Sequence, residues 1–579
     1  MYSIFGAQIA AKKSQVALKP LDENTLGDLE ILSGQKSKLQ RHLVALFEPY
    51  LHTAIGKVQL QKMLCEPSTN IEALHQCQAP VKKLLADVAK LEQLNKKLAV
   101  LTKAENEMLW FWNNIDEKTF EQLEAIAVPT MFFQLPSPIM KKIKKYPALT
   151  EFLSRGCHIT SSIIPLVGIF SALYFINEFS NGNNPFAGLE GPALQLKIDT
   201  AALGLFSPLL WYAYAKQNVA YNESTNEIHT KMNGVAQFTD VAIKVLGKDA
   251  FGSDENYENL APLIELLNTP TFKNDPSFFA YKGRAITAFT LMSEVKAHFV
   301  SMLEKLGKLD AYTAIASFMQ AQEKNSNGKY CFPTYIENDT PYLNLTGYWH
   351  PFLNPSTVVP NDIELGCNVA RNIIVTGPNA GGKSTSLKSM TLAIIMAQTL
   401  GIAPAKTMTL TPFKIVNTYM NIADDAGSES LFQAEMHRAS KLIESVKNQK
   451  GKDFIFVIMD ELFTGTNPLE GASAAYGILR KLVSYQNCML VFATHFKELT
   501  ELERETGGLI RNFKVWVDRQ ASAEQGKVAR IIYPYKLDPG ISDQTVALDL
   551  LALEGFDPEI LSQSNAQLER LKQAKQSAR

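Results

Sequence analysis

The chain has 579 residues, too many for one hydrophobic core, and its length alone asks for about three domains. Its composition, 46% hydrophobic and 20% charged, is that of a folded protein and excludes a disordered or low-complexity chain. With 57 basic and 58 acidic residues the net charge is −1, so there is no global basic signature of nucleic-acid binding, and such a role would need a local patch.

The start, Met1 to Ala11, holds no basic segment followed by a long apolar core, so no cleaved signal peptide is expected. Residues 35–150 and 225–325 are charged, rich in Leu, Ala and Lys, and helical in period. The six cysteines are Cys65, Cys77, Cys157, Cys331, Cys367 and Cys488, with no Cys-x-x-Cys pair. They read as scattered reduced thiols of a cytosolic chain and exclude a disulfide frame or a zinc site.

Between the two helical stretches lie two uncharged runs, Ile159 to Ile176 and Thr200 to Ala215. Each is near or slightly below the ~20 residues needed to span a bilayer. Lys141, Lys142, Lys144, Lys145 and Arg155 flank the first run and Lys216 follows the second, while the connection Asn177 to Asp199 holds Lys197 as its one basic residue. That pattern suits a helical hairpin with both flanks on the inner side of a membrane. Two helices buried within the protein are the alternative; the membrane hairpin is preferred. Pro165 and Pro208 would kink either helix, which membrane helices tolerate.

The most informative stretch is Gly377-Pro378-Asn379-Ala380-Gly381-Gly382-Lys383-Ser384. It fits a phosphate-binding loop, with a buried strand expected over Asn372–Thr376 and a helix over Thr385–Leu400. Glycines let several backbone N–H groups face one point, and the helix adds the positive end of its dipole. Lys383 would reach the β- and γ-phosphates, and Ser384 would hold Mg²⁺. The apolar run Phe454 to Met459 then ends in Asp460-Glu461. A strand buried on both faces looks like this, and ligands of parallel sheets bind at the carboxyl ends of strands. Asp460 is placed for the Mg²⁺ shell and Glu461 to polarise the attacking water. A second strand, Met489 to Thr494, ends in His495, which could sense the γ-phosphate. The turn Gly465-Thr466-Asn467-Pro468 could report nucleotide state to a neighbouring subunit. Ser562 to Arg579 reads as a basic, solvated helical tail.

Together these segments resemble one family, the MutS mismatch-repair ATPases. The resemblance rests on Val359-Pro360-Asn361-Asp362, on Thr376-Gly377-Pro378-Asn379, on Asp424-Asp425, and on Gly427-Ser428-Glu429-Ser430-Leu431-Phe432 with Glu435-Met436 after it. Asp460-Glu461 with Gly465-Thr466, Ala493-Thr494-His495-Phe496-Lys497-Glu498-Leu499, and Pro539-Gly540-Ile541-Ser542 complete it. A weaker likeness covers Leu21 to Ile31, Thr53 to Lys57 and Glu66 to Leu84. The resemblance implies an α + α/β protein: a mainly α-helical lever or core domain followed by an ABC-type P-loop α/β ATPase domain. The expected division is 1–150 and 221–335 for the helical core, 151–220 for the apolar hairpin, 336–556 for the ATPase domain and 557–579 for the C-terminal helix. It further implies ATP and Mg²⁺ as cofactors, with Gly377 to Ser384 and Thr385 holding the nucleotide, Ser384 and Asp460 the metal, and Glu461, Lys383 and His495 the chemistry. Ser430 would reach across a homodimer to the partner's γ-phosphate, so that ATP joins two ATPase domains and hydrolysis separates them.

The chain departs from the family pattern. Ala380 replaces the usual methionine, Phe463-Thr464 replaces Gly-Arg, and Val358 sits where an aromatic often stacks on adenine. The chain begins where the helical core begins, so classical mismatch recognition is not expected. Three functions follow as expectations: a cytoplasmic, MutS-like dimeric switch that binds DNA; a membrane-anchored switch with a non-DNA role; and a nucleotide-binding scaffold with little turnover, against which intact Lys383, Ser384, Asp460 and Glu461 argue.

Overall fold

The computed structural model describes residues 20–34, 42–112, 143, 146–273, 282–420, 431–521 and 528–577. The expected segments 421–430, with Ser430, and 141–142 and 144–145 lie outside them. The chain's described residues divide into two compact units, one of residues 52–56 and 93–310 and one of 16–51, 57–92 and 311–579. Both helical and mixed-sheet structure are present, the α + α/β composition expected from the sequence.

In chain order the helices are α1 Glu23–Asp28, α2 Ala54–Cys65, α3 Ile71–Ala86, α4 Val88–Trp110, α5 Pro147–Ser180, α6 Gly191–Leu246, α7 Asp254–Leu267, α8 Pro270–Lys273, α9 Lys282–Val295 and α10 Val300–Gln322. Asp22, Asn70 and Ser253 cap α1, α3 and α7 by accepting from the N–H three residues on. Prolines in the first turn start α5 and α6, where their missing N–H costs nothing. The first unit packs a helical core from Leu98, Leu101, Met108, Ile228, Met232 and Phe289, among others. Buried Asp310 accepts from the Thr53 N–H and hydroxyl at 2.8 and 2.6 Å. Glu105 accepts from the N–H groups of Ala54 and Ile55, each at 2.8 Å.

Between the helical stretches, α5 and α6 run as two long paired helices. The two helices approach closely at Gly204, where a Cβ would lie 2.9 Å from the Ala172 nitrogen. Phe175 stacks on Phe186 at 5.5 Å near the tip. The expectation that this pair spans a membrane is corrected: among the described residues no helix is long and apolar enough to cross one. The two uncharged runs fall short of the ~20 residues a span requires, and the first includes Thr160, Ser161, Ser162 and Ser171. Both helices also continue into the core of the first unit, α5 through a Thr150–Thr287 hydroxyl pair at 2.9 Å and α6 through Ile228, Met232 and Val235. Large apolar side chains nevertheless stay exposed on both arms, Phe170, Leu173, Leu205 and Leu209 among them.

The second unit holds strands β1 Thr334–Tyr335, β2 Leu343–Tyr348, β3 Asn361–Leu365, β4 Asn372–Thr376, β5 Thr407–Leu410, β6 Ile415–Tyr419, β7 Ile455–Asp460, β8 Cys488–Ala493, β9 Ile510–Val515, β10 Asp518–Ala521, β11 Val528–Ile532 and β12 Leu537–Pro539. Its remaining helices are α11 Lys383–Leu400, α12 Leu431–Lys447, α13 Pro468–Val483, α14 Leu502–Glu505, α15 Ala547–Leu553 and α16 Pro558–Ser577. A six-stranded sheet runs β12-β9-β4-β8-β7-β6, parallel throughout except for edge strand β12. β4, β6 and β8 are buried at every residue, as in a sheet covered on both faces. A four-stranded sheet, β1-β5-β2-β3, lies beyond α11, whose side chains are nearly all buried. The carboxyl ends of β4, β7 and β8 come out side by side, which brings three distant sequence segments to one edge.

Candidate nucleotide site

The loop after β4 owes its shape to three backbone conformations. Gly377 has φ 150°, and a Cβ there would sit 2.5 Å from the Val515 carbonyl oxygen. Ala380 and Gly382 have φ of 62° and 97°, the left-handed region that favours glycine. Ala380 therefore holds a strained position, stabilised only by what surrounds it. α11 begins at Lys383, so its free N–H groups face the loop's concavity.

Lys383 is buried, and its ammonium is folded back onto the loop. Nζ donates to the carbonyl oxygens of Gly377 at 3.1 Å and Pro378 at 3.4 Å, and lies 3.1 Å from His495 Nε2. Burial pushes its pKa down, against the pull of the Glu461 and Asp460 carboxylates. The same Nε2 lies 2.9 Å from Glu461 Oε1. The Glu461 carboxyl is held below the usual glutamate range, first by that hydrogen bond and then, against its burial, by the charges of His495 and Lys383. Desolvation raises Asp460, with a hydrogen bond from the Ser384 side chain opposing it.

These side chains sit where strand ends put them. The Glu461 N–H donates to the Ala493 carbonyl at 3.0 Å, and the Thr494 N–H to that of Val375 at 3.1 Å, so the ends of β7, β8 and β4 are tied together. Glu461 itself has φ 55°. Ser542, from the Pro539–Ser542 segment, donates its N–H to the Thr376 hydroxyl at 2.9 Å.

The loop borders a cavity of about 550 Å³ lined by His350, Val358, Lys383, Ser384, Glu461 and Tyr535, among others. Thus the sequence-expected residues Pro378, Asn379, Ala380, Gly382, Lys383, Ser384, Thr385 and Glu461 line one space, with Asp460 and His495 at its edge through Ser384, Lys383 and Glu461. Gly377 and Gly381 shape the loop against Val515. One residue of the lining that the sequence did not single out is Tyr535. At φ 55° it lies over the loop, its ring 3.3 Å from where a Gly382 Cβ would be, and stacks with Tyr533 at 5.9 Å. Asn361 ties that segment down, donating to the Tyr535 carbonyl at 2.9 Å and accepting from the Leu537 N–H at 2.8 Å. Two tyrosines flanking a proline, just before Pro539–Ser542, were the signal available. Partly exposed His350 is driven down to about 4 by desolvation and by the Lys388 charge, and is neutral at pH 7.

A divalent cation fits this edge. Asp460 Oδ1 is buried without a hydrogen-bond partner, and the Ser384 hydroxyl is beside the same carboxylate. Both are hard oxygen donors of the kind Mg²⁺ takes together with phosphate oxygens. Among the described residues no group of three or more His, Cys, Asp or Glu could hold a metal alone.

A glycine-shaped loop between a buried parallel strand and a helix, facing an acidic strand end, makes this an α/β domain with a candidate phosphate site. Residues 373–572 match the family model for MutS domain V. The chain is similar to the DNA mismatch repair protein MutS of Fusobacterium nucleatum, 24% identical over 96% of this chain and 60% of that protein. It is similar to that of Lactobacillus helveticus, 31% identical over 48% of this chain and 31% of that protein. The DNA mismatch repair protein Msh3 of Dictyostelium discoideum is 26% identical over 56% of this chain and 22% of its own length. The matched segment is thus similar to the ATPase domain of MutS proteins, and the chain as a whole to proteins of that family. Each alignment spans less than two thirds of the relative concerned.

Proposed function

We propose that this chain is an ATP-hydrolysing switch whose ATPase domain is of the P-loop, ABC type. The observation that carries the proposal is the meeting of Lys383, Glu461 and His495 at the mouth of a loop-bordered cavity, with an unpartnered Asp460 oxygen beside Ser384. The triphosphate lies along Gly377 to Thr385, and Lys383 exchanges the carbonyls of Gly377 and Pro378 for phosphate oxygens. The base takes the apolar end, between Val358 and Tyr535. Ser384 and Asp460 would hold Mg²⁺, which when bound would neutralise charge developing on the phosphates. Glu461 orients the attacking water and accepts its proton. His495 senses the γ-phosphate: once Lys383 moves, Nε2 is left to Glu461 or to the phosphate. The test is Mg²⁺-dependent ATP hydrolysis by the full chain. Lys383→Ala should weaken ATP binding about 10- to 100-fold, the cost of a lost charge-assisted contact. Unchanged binding in that variant would remove Lys383 from the site.

The reading extends to a homodimer in which Ser430 reaches the partner's γ-phosphate, and to DNA as the partner controlled by ATP. The names of the relatives support the DNA role. ATP-controlled DNA retention that weakens with salt is the expected result; retention by neither duplex nor branched DNA contradicts it.

A second reading is favoured by one observation, the exposed Phe170, Leu173, Leu205 and Leu209 on the α5–α6 hairpin. Apolar exposure of this extent marks an interaction surface. Here the switch would be held against a lipid surface without spanning it. Sedimentation with phospholipid vesicles, lost when Phe170, Leu205 and Leu209 become serine, supports this reading; vesicle-free protein in both cases removes it.

A further inference from the structure

We infer that Glu435 is a positioning residue for hydrolysis: it fixes the turn that carries Glu461 and acts through that carboxylate, not on the substrate. The inference rests on the role proposed above for Glu461.

Glu435 lies in the second turn of α12 and is 2% exposed. Its Oε1 accepts from both the N–H and the hydroxyl of Thr464, each at 3.0 Å, and its Oε2 accepts from the Gly465 N–H at 3.3 Å. One turn therefore supplies three donors to one buried carboxylate. A buried charge is tolerated only where such partners are present, and each of these bonds is strengthened by the charge.

The turn needs fastening. Glu461 and Phe463 both have left-handed backbones, at φ 55° and 60°, each unfavourable for a residue with a Cβ. Packing opposes relaxation: Phe463 is buried and its ring meets that of Phe432 at 5.7 Å. Gly465 lies so close to α12 that a Cβ would come within 3.2 Å of the Phe432 nitrogen. Glu461 is thus pinned upstream through its own N–H to the Ala493 carbonyl and downstream through Glu435. A turn released at one end relaxes toward right-handed backbone and carries the Glu461 carboxylate off its line to the water. A displacement of ~1 Å at a reacting group costs on the order of 10²-fold in rate.

The experiment compares Glu435→Gln, Thr464→Val and Glu461→Gln in the full chain, measuring kcat, KM for ATP, nucleotide affinity and thermal melting. Glutamine keeps the volume and one acceptor but turns an NH₂ group on the turn's donors; valine removes the hydroxyl donor alone. Glu435→Gln should lower kcat about 10- to 100-fold and leave KM and nucleotide affinity within about twofold, the signature of an interaction felt in the transition state. Thr464→Val should lower kcat severalfold with the same unchanged KM, and it carries the test if Glu435→Gln does not fold. Wild-type kcat in the folded variants, or a kcat that falls only in step with nucleotide affinity, overturns the inference. If Glu461→Gln abolishes turnover while Glu435→Gln and Thr464→Val hydrolyse normally, the positioning role alone is lost. If Glu461→Gln itself hydrolyses ATP normally, the catalytic role of Glu461 falls first.

Discussion

Lys383 and Glu461 share one imidazole nitrogen: His495 Nε2 lies 3.1 Å from the lysine Nζ and 2.9 Å from the carboxylate Oε1. Nε2 carries at most one proton, so it either donates to Glu461 or accepts from Lys383, and the two contacts exclude each other as full hydrogen bonds. Nucleotide that draws Lys383 to phosphate oxygens resolves the competition in favour of Glu461. The residues proposed to bind nucleotide and to orient water are therefore coupled through His495.

The coupling has a pH consequence. Glu461 is held below the usual glutamate range chiefly by His495. A depressed carboxylate keeps its charge, and the stability that goes with it, above the usual range and loses both as pH falls through the lowered value. His495→Ala should therefore move the acid limb of the ATPase pH profile upward, toward the usual glutamate range. A limb that stays in place in the variant would separate Glu461 from His495.

Tyr535 should govern KM. Base stacking on an aromatic ring contributes about 1–3 kcal/mol, so Tyr535→Ala should raise KM for ATP roughly 10- to 100-fold and leave kcat near wild type. Tyr535→Phe should behave as wild type, since the ring does the stacking. Steady-state kinetics over a range of ATP concentrations check both.

His350 gives the second unit an acid sensitivity. Its folded pKa is about 4 against an ordinary 6.5, because desolvation and Lys388 disfavour the cation. Between those values the unfolded chain binds the proton and the folded one does not, so stability rises with pH across the window and falls as pH drops through it. Thermal melting of wild type should fall from pH 6.5 to 4 more steeply than that of a folded His350→Asn variant. Parallel curves would contradict the assignment.

The loop, its strand and its helix were legible because their signals are local: an unbroken apolar run, glycines at fixed offsets, and a helix begun at Lys383. The acidic end of β7 was legible for the same reason. Contacts between distant segments were not. Nothing in sequence spacing ties Asn361 to Tyr535, or Glu435 to Thr464, and the Asp28–Arg438 ion pair joins residues 410 apart in the chain. Such pairings follow from strand order, which brings β4, β7 and β8 together only after the chain has folded. The hairpin was legible as two helices, but the membrane crossing expected of it is not present among the described residues. Hydropathy reports how apolar a run is, not that α5 and α6 continue into a protein core at Thr150 and Met232.

The most direct test of the account is ATP binding and turnover by Glu461→Gln. The charge that orients water is removed while Lys383, Ser384 and Asp460 remain. The account predicts ATP bound with wild-type affinity in the presence of Mg²⁺ and hydrolysis reduced to background. Hydrolysis at the wild-type rate would contradict it, because another group would then have to orient the water.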